Sequence, residues 1–130
     1  MSPLLAEKQE RLMPQITVDH SHTISFDQDG FARALHEAVV EIAAAKPEAC
    51  KTQFRPSEYT AFGYEGLDEL GHTVVHVTLG LLAGRSEETK AKLTEKVLDL
   101  LREYIDEDGS VLHASAEVRE LDASYRKFER

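Results

Sequence analysis

The chain has 130 residues, of which 42% are hydrophobic and 30% charged, and it carries a net charge of −9 at pH 7. That size and balance suit one folded domain with its own core rather than a disordered segment. The acidic excess argues against nucleic acid or an anionic membrane as a partner, because no basic surplus exists to neutralise phosphates. A small anionic ligand held by a few focused cations stays open.

No apolar run approaches the roughly 20 residues of a membrane-spanning helix. The opening MSPLLAEKQER contains acidic residues and only a short apolar core, so it does not read as a secretory signal. Cys50 is the single cysteine and forms no internal disulfide, which points to a reducing cytoplasm.

In chain order, PQITVDH (14–20) alternates Ile16 and Val18 with polar neighbours, the period of a strand with one buried face. The following DQDGFARALHEAVVEIAAAK places Phe31, Leu35, Ala38, Val39 and Ile42 at helical spacing. Asp27 or Asp29 is expected to cap that helix and Pro47 to end it. CKTQFRPSEYTAF (50–62) reads as a less regular strand, with Pro56 placing it at an edge or bulge. GYEGLDELGH reads as a loop.

HTVVHVTLGLLAG (72–84) is the strongest strand pattern, rich in β-branched residues. Ser86 is expected to cap a second helix with Glu87 and Glu88 in its first turn, Leu93, Val97, Leu100, Leu101 and Tyr104 on its apolar stripe, and Gly109 at its end. SVLHASAEVREL (110–121) reads as a final alternating strand before a charged tail. Two strand–helix–strand halves, about 14–66 and 67–121, suggest a duplicated βαβ unit. Such units place their strands in parallel, so the expected α/β (α+β) fold is a four-stranded sheet with both helices on one face. The uncovered face is expected to meet further copies of the chain.

The strand–turn–helix VHVTLGLLAGRSEETKAKLTEKVLDLL (75–101), with its Gly84-Arg85-Ser86 turn and acidic helix start, resembles the tautomerase superfamily. Met13-Pro14 directly before the first strand and the doublet length make the chain similar to the 5-carboxymethyl-2-hydroxymuconate delta-isomerase family within it. The likeness spans roughly Met13 to Leu121. In short members a proline stands ten residues before the arginine; here that position is Val75, and the proline is Pro14 in the first half.

The resemblance implies a cofactor-independent tautomerase of the cytoplasm, a homotrimer acting on a small anionic unsaturated keto or enol acid from aromatic catabolism. It implies Pro14 as the acid/base through a free secondary amine, and Arg85 as the catalytic cation beside it. Lys51 and Arg55 are implied as substrate-binding residues. An α-amino group ordinarily titrates at about 7.7–8.0, and burial or a neighbouring cation lowers that value, leaving an unprotonated base near neutral pH. A guanidinium suits a carboxylate through two parallel hydrogen bonds.

This chemistry requires Pro14 to be N-terminal, so residues 1–13 are expected to be a misassigned start or added residues. With those residues attached, the Pro14 nitrogen is an amide and no base. The alternative reading is therefore a non-catalytic ligand-binding or assembly protein on the same fold. His20 and His22 share a strand face, yet no further spaced ligands complete a zinc pattern, and no metal is expected. His76 and His113 are expected to be satisfied core or interface histidines, and Cys50 a small core residue.

Overall fold

The computed structural model describes residues 14–64 and 71–130. The expected N-terminal extension and the middle of the 63–72 loop lie outside the described residues. The elements run β1 (Gln15–Ser21), α1 (Gln28–Ala43), a 3-10 turn (Pro47–Ala49), β2 (Lys51–Ser57), β3 (His72–Leu82), α2 (Glu87–Tyr104) and β4 (Val111–Leu121). The sheet order is β2-β1-β3-β4. Strands are parallel within each strand–helix–strand unit, β1 with β2 and β3 with β4, and antiparallel where the units meet at β1 and β3.

Alternation along the two central strands sends one set of side chains inward. Ile16 and Val18 of β1, and Val75, Val77, Leu79 and Leu81 of β3, are at most 2% exposed. They share one apolar cluster with Phe31, Leu35 and Val39 of α1 and with Leu93, Val97 and Leu101 of α2. Both helices therefore cover the same face of the sheet. Burying side chains of this size contributes about 1.5–3 kcal/mol each. Phe26, Phe31 and Phe54 pack edge-to-face with ring centroids 5.1–6.3 Å apart, joining α1 to β2 and to the connection that follows β1.

The caps explain the helix bounds. The Asp27 side chain accepts from Gly30 N, and that of Ser86 from Thr89 N, relieving backbone donors that no helical carbonyl reaches. α1 stops before Pro47, at Ala43, because Ala44 turns into the left-handed region with φ 58°. α2 likewise ends at Tyr104, short of Gly109. Ile105 there leaves the helix to make a bridge with Phe26, and Gly109 serves the turn into β4 with φ 88°.

Among the described residues the middle of the opposite sheet face is uncovered and polar. Its rows across the four strands include Arg55, Asp19, His76 and Ser115, and beside them Gln53, Thr17, Thr78 and Glu117. A sheet with antiparallel pairing and such a face is stable against water. Pro56 sits in β2 at the sheet edge, where a missing N–H costs no ladder bond.

Candidate active site

Pro14 is buried immediately before β1. The next residue, Gln15, lies between Lys51 at the start of β2 and Gly80 near the end of β3. Parallel pairing on one side and antiparallel pairing on the other thus gather three chain segments around the proline. Gly80 permits the closeness: a Cβ there would sit 3.0 Å from Leu121 Cδ2 and 3.1 Å from the Gln15 carbonyl oxygen.

Arg85 follows the last turn of β3 and lies at the same end of the sheet. Its guanidinium donates to the carbonyls of Leu82 at 3.1 Å and Ala43 at 3.2 Å. Ala43 is the last residue of α1, so the charge meets the negative end of that helix. Partial burial lowers the arginine's pKa from its ordinary value, and it remains a cation. Lys51 is exposed on the open face.

The C-terminal tail returns over this end. A turn closed by Tyr125 N and the Asp122 carbonyl brings the Tyr125 hydroxyl 3.1 Å from Gln15 Nε2. Lys127 pairs with Glu129, and the carboxyl of Glu129 is held below its ordinary range first by Lys127 and then, more weakly, by Lys51. Arg55 stands apart. It is four residues along β2 from Lys51, about 13 Å at strand spacing, and its guanidinium holds Asp19 in two hydrogen bonds of 2.8 and 3.0 Å. The sheet therefore brings Pro14, Arg85 and Lys51 to one end and leaves Arg55 along the face in an ion pair.

Cys50 precedes β2 and is packed against the core. Burial pushes its thiol pKa up, and Glu48 adds to the shift while Lys51 opposes it. The two histidines proposed for one strand face separate. His20 is buried between Phe26 and Phe54 and donates from Nδ1 to the Ser21 carbonyl at 2.9 Å. His22 lies beyond the end of β1, with its ring on the Ser57 carbonyl. Because His20 donates from Nδ1, its Nε2, unpartnered among the described residues, is an acceptor lone pair rather than a buried N–H. Among the described residues no group of three or more His, Cys, Asp or Glu side chains is placed to hold a metal ion.

A cavity of about 540 Å³ lies at the other end of the sheet, lined by Ile24, Thr73, Leu98 and Ile105 with Asp106 and Asp108. Those carboxylates are occupied, Asp106 by Ser25 at 2.7 Å and Asp108 by the Ser110 backbone and hydroxyl. The cross-strand group His76, Ser115 and Glu117 on the open face escaped the sequence reading. Its members are 39 and 41 residues apart, and only the β3–β4 register joins them.

A four-stranded mixed sheet backed by two helices is a fold the chain shares with several solved structures. Among solved structures the chain is similar to a 5-carboxymethyl-2-hydroxymuconate delta-isomerase, at 14% identity and TM-score 0.70 over 92% of this chain and 91% of that one. A 5-carboxymethyl-2-hydroxymuconate isomerase from Deinococcus radiodurans R1 matches at 23% identity and TM-score 0.59, covering 92% of each chain. A fused 4-OT symmetric trimer matches at 20% identity and TM-score 0.65, over 82% of this chain and 84% of that one. No protein-family model matches the sequence, and no curated protein matches it.

Proposed function

We propose that this protein is a cofactor-independent isomerase that moves a proton within a small unsaturated 2-hydroxy or 2-oxo dicarboxylate, with 5-carboxymethyl-2-hydroxymuconate as the type of substrate. The observation that carries the reading is the position of Pro14. It is buried at the head of β1 in a tautomerase fold, at the sheet end that also receives Arg85 and Lys51. In a chain that begins at Pro14, its secondary amine removes a proton from the substrate and returns it at another carbon. Arg85 stabilises the dienolate charge that develops, and Lys51 binds a carboxylate. Arg55 becomes a second carboxylate ligand if the substrate displaces Asp19. Residues 14–130 form the functional domain, and residues 1–13 are a misassigned start or added residues.

The active species is a homotrimer in the cytoplasm. Its support is the likeness to a fused 4-OT trimer and the two open strand edges, β2 and β4, which carry ladder groups without a partner strand among the described residues.

Expression from Met13, with loss of the methionine verified by mass, provides the test. Ketonisation of a dienol dicarboxylate is expected, and Pro14→Ala is expected to slow it by about 10²- to 10⁴-fold, the range for a positioned acid/base group. Equal rates for the two chains would sink the mechanism.

A second reading is a non-catalytic ligand-binding or assembly protein. It is favoured by the engagement of Arg85 with the Leu82 and Ala43 carbonyls, which gives that arginine a structural task without any substrate. Diacid binding without turnover, both by the 130-residue chain and by the chain begun at Pro14, would select it.

A further inference from the structure

Three side chains on the open face of the sheet form a directed chain of hydrogen bonds. His76 lies mid-way along β3, Ser115 is its register partner on β4, and Glu117 follows two residues later on the same face. Ser115 Oγ is 2.7 Å from His76 Nδ1, and His76 Nε2 is 3.1 Å from Glu117 Oε1. Arg119 Nε also donates to the same Glu117 oxygen, at 2.9 Å, so two donors fix the carboxylate.

The donor directions follow from the groups. An ionised carboxylate only accepts, so the proton of the neutral imidazole resides on Nε2. The lone pair is then on Nδ1 and faces Ser115, whose hydroxyl donates to it. A nucleophile, a base and a carboxylate that fixes the base's tautomer stand in the order required for an activated serine, with the two ring nitrogens exchanged relative to the usual serine triad. A mere polar ladder needs no carboxylate on the far nitrogen. Ser115 is exposed and the His76 side chain is 34% exposed, so a small acyl donor reaches both from solvent. Asp19 faces His76 from β1, but it is engaged by Arg55.

We propose that Ser115 is an acylatable nucleophile, activated by His76 and oriented through Glu117, that accepts acyl groups from small activated esters. Ser115 Oγ bonds to the carbonyl carbon while its proton passes to His76 Nδ1, and the bond to the aryloxide leaving group breaks. The imidazolium of His76 then releases that proton to solvent. Water attacks the acyl-serine as His76 Nδ1 takes the water's proton, and the carboxylic acid departs as His76 returns that proton to Ser115 Oγ. An aryloxide needs no protonation to leave, so activated aryl esters are the fitting donors. The site does not involve Pro14.

The test is p-nitrophenyl acetate on the full chain carrying Pro14→Ala, with acetyl groups located by peptide mass mapping and p-nitrophenolate followed in parallel. Ser115 is expected to acetylate at least about 10²-fold faster than exposed Ser124, and His76→Gln to remove that advantage, matching the low end of base catalysis. Glu117→Gln is expected to lower the rate while Ser115→Ala abolishes the rapid release of p-nitrophenolate. The three side chains lie outside the core cluster, so the variants are expected to fold, with circular dichroism of each checking this. Acetylation of Ser115 no faster than that of Ser124, or equally fast in His76→Gln, would overturn the proposal. Tautomerase activity is read separately, in the chain begun at Pro14, and bears only on the isomerase.

Discussion

At the residue scale, Arg85 has two tasks that substitution can separate. Its hydrogen bonds tie the end of β3 to the end of α1, and a charged donor to a carbonyl contributes about 1.5–3 kcal/mol. Arg85→Ala is therefore expected to lower the unfolding free energy by about that amount in denaturant titration. Arg85→Lys keeps the charge but loses the fork geometry. It is expected to recover part of the stability and little of any dienolate turnover. The carboxyl of Glu117 illustrates a pH effect with a fixed sign. Its pKa is held below the ordinary value by the His76 hydrogen bond first and Arg119 second. A depressed carboxyl stabilises the fold above its unfolded pKa, about 4.3, and that contribution disappears as pH falls through the lower folded value. Asp108 and Asp122, held down by hydrogen bonds from Ser110 and Ser124, act in the same direction. The melting temperature is expected to drop below about pH 5, and Glu117→Gln to make that drop shallower.

At the element scale, the ends of α1 give opposite answers to the same kind of exchange. Ala44 closes the helix at φ 58°, where a Cβ is crowded and glycine is at ease. Ala44→Gly is expected to raise stability by about 0.5–1 kcal/mol, read as a higher urea midpoint. At Gly30, helix propensity alone would favour alanine by about 1 kcal/mol. A Cβ there would instead collide with the capping Asp27 carboxylate and lie 2.8 Å from Tyr104 Cε1. Gly30→Ala is thus expected to lower the melting temperature by loosening the α1 cap and its contact with the end of α2. Both helices were legible in outline because apolar residues recur on one face and Asp27 and Ser86 announce their starts. Their ends were not. Ala44 gives no local stop signal, and Ile105 leaves α2 to reach Phe26, almost eighty residues earlier.

At the scale of the whole molecule, the open face alters the argument for assembly. A face carrying Thr17, Asp19, Arg55, His76, Thr78 and Glu117 does not need another copy to hide it from water. The edges matter more, since among the described residues strands β2 and β4 each end the sheet with one side unpaired. Val111 opens β4 and is 54% exposed, a large value for a β-branched apolar residue at an edge. Sedimentation of the protein is expected to give three times the 14.6 kDa chain mass. Val111→Lys is expected to shift that mass toward the monomer, because an edge lysine disfavours strand addition.

The sequence by itself determined the two strand–helix–strand units, the strands that form the core and the face the helices cover. Each depends on the local period of apolar residues, which solvent exclusion enforces directly. It also offered Pro14, Arg85, Lys51 and Arg55 as candidates, through a resemblance carried by short stretches. Only the tertiary structure decided how the units join, with β1 antiparallel to β3, and therefore which distant residues become neighbours. That register brings Pro14, Lys51 and Arg85 to one end, binds Arg55 to Asp19, and sets His76 between Ser115 and Glu117. Register is a long-range property: a slip of one residue would reverse every side chain across the sheet, so packing of the complete core fixes it.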